Sequence, residues 1–188
     1  MYSSKIIAAK AVEIESSYPI KIKEYSVTEV QEWVVRLQQL VHPESTPTKP
    51  KLTRQLYQDE LDFISNEILL CKISYPYWVE RYCFIKYDKG GVGRIKLSES
   101  QEMLLKVLAS LEESNKSAKL ILLKARQVYA STFSETVLTH KAMNIPGITC
   151  IVASDEPNKS EFMFNMMERI YENLPFYLKP HKKFHVKG

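Results

Sequence analysis

The chain has 188 residues, 45% of them hydrophobic and 26% charged, a globular composition that excludes wholesale disorder. No run approaches the ~18 apolar residues that a membrane span needs, and the start Met1-Tyr-Ser-Ser-Lys5 leads into an apolar stretch too short for a secretory core. Its 26 Lys and Arg against 22 Asp and Glu leave a formal charge of +4, too small to establish a nucleic-acid partner.

In chain order, Lys5 to Tyr25 is rich in Ile, Val and Tyr and is broken at Ser16-Ser17-Tyr18-Pro19, which suggests two strands joined by a turn. Thr28-x-x-Gln31 reads as a capping box, and Val30, Trp33, Val34, Leu37, Leu40 and Val41 continue it as a helical stripe that stops before Pro43. From His42 to Leu52 the prolines, Ser, Thr and Lys have the composition of an exposed connector. A second helix is expected on Leu56, Tyr57, Leu61, Ile64 and Ile68, ending near Cys71. The aromatics Tyr75, Tyr77, Trp78, Tyr82 and Phe84 read as core before they read as a base-stacking platform. Phe84 to Tyr87 and Arg94 to Leu97 alternate around Asp88-Lys-Gly-Gly91, a hairpin signal. Ser98-x-x-Gln101 then caps a helix carrying Leu104, Leu105, Leu108 and Leu111.

Leu120-Ile-Leu-Leu123 is a continuous apolar run, as in a strand covered on both faces. After it, Ser131-Thr132 opens a segment whose apolar positions, Phe133, Val137, Leu138, Ala142 and Ile145, recur at helical spacing. Strand, short loop and helix is the arrangement in which backbone N–H groups and the positive end of a helix cradle phosphates. The spelling G-x-x-x-x-G-K-[ST] is absent: all five glycines, Gly90, Gly91, Gly93, Gly147 and Gly188, lie elsewhere. After Pro146-Gly147, Ile148 to Ala153 reads as a second buried strand, and strand–helix–strand implies a right-handed parallel unit. Asn158-x-x-Glu161 is expected to cap a last helix with Phe162, Met166, Ile170 and Leu174 buried, its methionines filling core. Asp155-Glu156 follows the strand too indirectly to be a metal-ordering acidic pair.

Cys71, Cys83 and Cys150 are odd in number and widely spaced, so neither a disulfide framework nor a zinc site follows, and a reducing intracellular compartment is expected. His181 and His185 stand at i, i+4 without acidic or cysteine neighbours, and Lys179, Lys182, Lys183 and Lys187 read as a solvated basic tail.

Lys124-Ala-Arg126-Gln127 followed by Ser131-Thr132, after a hydrophobic strand, resembles the divergent Walker A of phage terminase large subunits, commonly Lys-x-Arg-Gln-x-Gly-x-Ser-Thr. These ATPases pump double-stranded DNA into procapsids. The likeness extends from about Tyr75 to Gly188: a Trp-containing lead-in, a hairpin, a glutamine ahead of a helix, and the close Leu174-Pro-x-x-Leu178-Lys-Pro180. The resemblance implies ATP and Mg²⁺ as cofactors and a nucleotide-binding segment of Lys124, Ala125, Arg126, Gln127, Val128, Tyr129, Ala130, Ser131 and Thr132. In it Lys124 and Arg126 meet the phosphates, Gln127 shapes the loop, Ser131 or Thr132 holds Mg²⁺, and Gln101 reads the adenine edge. Tyr129 stands where the family usually has glycine, a position that needs φ > 0.

The fold so implied is α/β: a RecA-like P-loop NTPase half-domain with a parallel sheet over 98–188, a helix and hairpin lead-in over 48–97, and a small α+β extension over 1–47. By resemblance the acidic Walker B strand and an acidic nuclease domain would follow Gly188, so the chain is expected to be an amino-terminal part, inactive alone and marginally stable. The implied partners are DNA, the portal and the small terminase subunit, in a homo-oligomeric ring without a membrane, in host cytoplasm and transiently at the portal vertex. A helicase-like ATPase fragment and a non-catalytic interaction module that has lost nucleotide binding are the alternatives.

Overall fold

The structure is a computed structural model and describes residues 22–46, 50–86, 90–114, 117, 119–123 and 129–180. Six helices and one hairpin are present among these residues: α1 (Val27–Gln38), α2 (Gln58–Ile73), α3 (Tyr75–Tyr82), β1 (Phe84–Lys86), β2 (Val92–Arg94), α4 (Glu99–Glu113), α5 (Ala130–Asn144) and α6 (Pro157–Asn173).

Local chemistry sets most of the boundaries. α1 starts at Ser26, whose Oγ accepts from Glu29 N at 3.2 Å while Glu29 Oε2 accepts from Ser26 N at 2.8 Å. The box is thus two residues earlier than Thr28-x-x-Gln31. Beyond α1 the connector folds back on itself, with Val41 bridging Leu52 and His42 N donating to Lys51 O at 2.8 Å. Ser74 ends α2 and starts α3, accepting from Tyr77 N at 3.2 Å, and Pro76 in the first turn of α3 has no N–H to leave unpaired. β1 and β2 pair antiparallel with Ile85 opposite Gly93, and Gly90 and Gly91 supply the positive φ that the reversal demands. α4 carries the expected box, Ser98 with Gln101. α6 begins on Pro157 after Glu156 rather than at Asn158. The expected strand pair over Lys5–Tyr25 lies outside the described residues up to position 21, and residues 22–26 belong to no strand.

Trp78 is the centre of the main core, a cluster that includes Val30, Leu70, Tyr75, Tyr82, Ile95, Leu105, Phe133, Met166 and Ile170. The aromatic run around Tyr75 is therefore interior. Around it α3 contacts α1, α2, α5 and β2, while α6 lies on α5 and β1. A second cluster of Leu37, Phe63 and Ile64 is closed by Trp33, which stacks on Phe63 at 4.8 Å and 15°. Apolar packing runs continuously from α1 to α6, across the boundary expected at 47/48, which itself lies outside the described residues.

The expected parallel-sheet P-loop half-domain is not formed. The hairpin of β1 and β2 is the only sheet among the described residues. Residues 120–123 and 148–153 are in no strand, and Ile121 and Leu123 are 103% and 99% exposed, with Ile151 at 82%. The physical reason is pairing. A covered strand needs neighbours for its N–H and C=O groups and packing on both faces. Among the described residues the strand pairing is that of two three-residue strands, β1 with β2, and neither run pairs with them.

Helix faces also depart from the apolar reading. Of the stripe expected on α2, Ile64 is buried, but Leu61 and Ile68, with the N-cap Tyr57, are exposed, whereas Glu60, Phe63, Asn66, Glu67 and Leu70 are buried. Of the stripe expected on α5, Phe133 is buried, but Ala142 and the C-cap Ile145 are exposed, whereas Glu135, Thr136, Thr139 and His140 are buried. No helix among the described residues is long and apolar enough to cross a membrane.

Candidate phosphate-binding segment

Lys124, Ala125, Arg126, Gln127 and Val128 lie outside the described residues. What is described is the junction they lead into. Tyr129 is the N-cap of α5, with φ 50° and ψ 27°, and it is the only non-glycine residue of positive φ among the described residues. An L-residue pays about 1–2 kcal/mol for this left-handed geometry. The residue as a whole is 49% exposed.

Two hydrogen bonds fix the Tyr129 carbonyl: it accepts from Phe133 N at 3.0 Å, the first turn of α5, and from Gln101 Nε2 at 3.2 Å. The Tyr129 side chain makes no capping hydrogen bond, and the first turn of α5 carries no acidic residue. Ala130, Ser131 and Thr132 therefore present N–H groups at the positive end of the helix, with the Ser131 side chain exposed and Thr132 half-buried. Such an end favours an anion, and the two hydroxyls are suited to a phosphate-bound divalent cation.

Gln101, expected at the adenine edge, is 4% exposed. Its Oε1 accepts from Ser98 N at 3.0 Å and its Nε2 serves Tyr129. The structure thus brings Gln101 to the 129–132 junction although 28 residues separate it from Tyr129. Asp155 and Glu156 are exposed and both pair with Lys159 at 3.1 Å. Among the described residues no group of three or more His, Cys, Asp and Glu side chains gathers as a metal site; His181 and His185 lie outside them.

Other polar features were not legible in the apolar pattern. Glu135 is 3% exposed, its Oε2 has no hydrogen-bond partner, and burial raises its pKa. His140 donates Nε2–H to the Cys71 carbonyl at 2.7 Å and its pKa is lowered, chiefly by burial, so the neutral ring is the resident form near pH 7. A cleft of about 250 Å³ opens between α2, α4 and α5, bordered by Lys72, Tyr75, Leu105, His140 and the Lys141–Glu112 ion pair. It is separate in sequence from the expected segment, and only i, i+3, i+4 bookkeeping of polar residues on α5 would have suggested it.

No family model and no curated protein matches the chain.

Proposed function

We propose that this chain is an ATP-binding portion of a phage terminase large subunit, contributing the phosphate segment of the motor that drives double-stranded DNA into procapsids. The observation that carries the reading is Tyr129. The residue at the family's glycine position adopts positive φ, at the uncapped start of the helix that opens with Ser131-Thr132. A backbone that turns left-handed just before a helix aims successive N–H groups outward, as phosphate binding requires.

In this proposal Lys124 neutralises phosphate charge, Arg126 approaches the same oxygens, and Ala125, Gln127, Val128, Tyr129 and Ala130 form the backbone cradle. Ser131 or Thr132 ligates the Mg²⁺ carried by ATP. DNA, the portal, the small terminase subunit and a ring of copies are the partners, in host cytoplasm and at the portal vertex. Hydrolysis needs a carboxylate that positions water and shares the metal; Asp155 and Glu156 are engaged with Lys159, and the unpartnered Oε2 of Glu135 is buried.

Calorimetric titration with Mg·ATP tests the proposal. The wild-type chain is expected to bind saturably and Lys124→Ala to lose at least tenfold in affinity, about 1.4 kcal/mol. No heat at millimolar nucleotide, or equal affinity in the variant, would sink it. The second reading, an interaction module without nucleotide binding, is favoured by the two exposed apolar runs, 120–123 and 148–151.

A further inference from the structure

The cleft between α2, α4 and α5 has no part in the phosphate segment, since none of its lining residues falls within 124–132. Its floor belongs to the interior: Tyr75, Leu105 and His140 are all buried. His140 is committed to the fold, donating Nε2–H to the Cys71 carbonyl at 2.7 Å, and burial favours its neutral ring. The floor therefore carries no charge. Leu108 and Val137, half-buried, and Ile145, exposed, continue it outward as an apolar wall.

Charge stands at the mouth. Lys72 lines the cleft, is exposed, and makes no ion pair among the described residues, whereas Lys141 is paired with Glu112. Two lysines against one glutamate leave a single positive charge beside an apolar hollow, and a monoanion with an apolar body complements both. The volume of about 250 Å³ lies below the ~300–1,000 Å³ of sites for drug-sized ligands, too little for a nucleotide and enough for a short chain or a single ring.

We propose that this cleft binds a small apolar carboxylic acid, with its hydrocarbon body on Leu105, Leu108, Val137 and Ile145 and its carboxylate at Lys72. Apolar burial supplies the affinity, and Lys72 selects the sign of the charge.

Octanoate, octylammonium and acetate separate the two contributions when each is titrated into the full chain and followed by the NMR signals of the His140 ring and the Leu105 and Leu108 methyls. Octanoate is expected to shift these signals saturably at millimolar concentration, as a ligand of roughly ten non-hydrogen atoms allows. Acetate has the charge without the body, octylammonium the body with the opposite charge, and both are expected to bind several-fold more weakly. Lys72→Glu reverses the preference: octanoate weakens on the order of tenfold and octylammonium gains. Ile145→Ser weakens the two long-chain ligands alike. Both positions are exposed, so the unfolding midpoint is expected to stay that of the wild type in each variant.

No saturation at about 10 mM octanoate, equal affinity for octanoate and octylammonium, or an unchanged preference in Lys72→Glu each overturns the proposal. Shifts confined to the exposed apolar runs 120–123 and 148–151 overturn it as well, because they place the acid on those residues and not in the cleft.

Discussion

Two glutamates seven residues apart on α2 show how environment, not residue type, decides a charge. Glu60 and Glu67 are both 0% exposed. Glu60 accepts from both terminal nitrogens of Arg54 at 2.9 and 2.8 Å and from Tyr57 N at 2.9 Å. The Arg54 guanidinium, ahead of the backbone donor, holds its pKa down from 4.5 to about 2. Glu67 accepts from the hydroxyls of Tyr77 at 2.7 Å and Tyr82 at 2.5 Å, and burial outweighs these and pushes its pKa up. The signs of the linkage are therefore opposite. Glu60 stabilises the fold above its ordinary value and loses that contribution as pH falls toward about 2. Glu67 contributes fully below its ordinary value, and the contribution fades as pH rises through its raised pKa. Urea unfolding across pH is expected to show Glu60→Gln costing about 2 kcal/mol at pH 7, with its deficit shrinking in acid. Glu67→Gln should fare progressively better against the wild type as pH rises. Parallel pH profiles for the three proteins would count against this assignment.

The same residues explain what apolar periodicity missed at the level of the element. Caps and turns were legible where one residue decides the geometry: Ser98 with Gln101, and Gly90-Gly91 in the hairpin. The aromatic core around Trp78 was legible by its density. The faces of α2 and α5 were not, because each buries polar side chains whose partners come from elsewhere in the chain. On α5, Thr136 turns its hydroxyl to the carbonyls of Thr132 and Phe133, each at 2.9 Å, and accepts from the buried Tyr75 hydroxyl at 2.7 Å. His140 reaches α2 at Cys71, and Trp78 packs beside its ring at 5.2 Å. A buried face made of satisfied polar groups looks like a solvated face until its partners are known. Thr136→Val keeps the shape and strands the Tyr75 hydroxyl without a partner. It is expected to cost about 2 kcal/mol in chemical unfolding, and Thr136→Val in a Tyr75→Phe background much less. Equal costs in the two backgrounds would mean that the hydroxyl pair contributes nothing.

At the scale of the whole molecule the failed expectation was the parallel sheet, and composition could not have prevented it. A continuous apolar run has the same spelling whether it is covered on both faces or by nothing, since what distinguishes the two is pairing partners far away in sequence. Here Leu120 to Leu123 and Ile148 to Ile151 stand outside the core that α3 organises, with Ile121 and Leu123 fully exposed. Uncovered apolar segments carrying free N–H and C=O groups are sites of self-association. Replacing both Ile121 and Leu123 by lysine is therefore expected to leave the unfolding free energy within about 1 kcal/mol of wild type, as for surface positions. The same double variant should reduce concentration-dependent light scattering of the native chain. The two outcomes are linked through geometry. If the lysines instead collapse stability, these residues are packed inside a sheet and the exposed arrangement is wrong. If stability holds but scattering does not fall, the runs are exposed without driving association, and the interaction-module reading loses the observation that favours it.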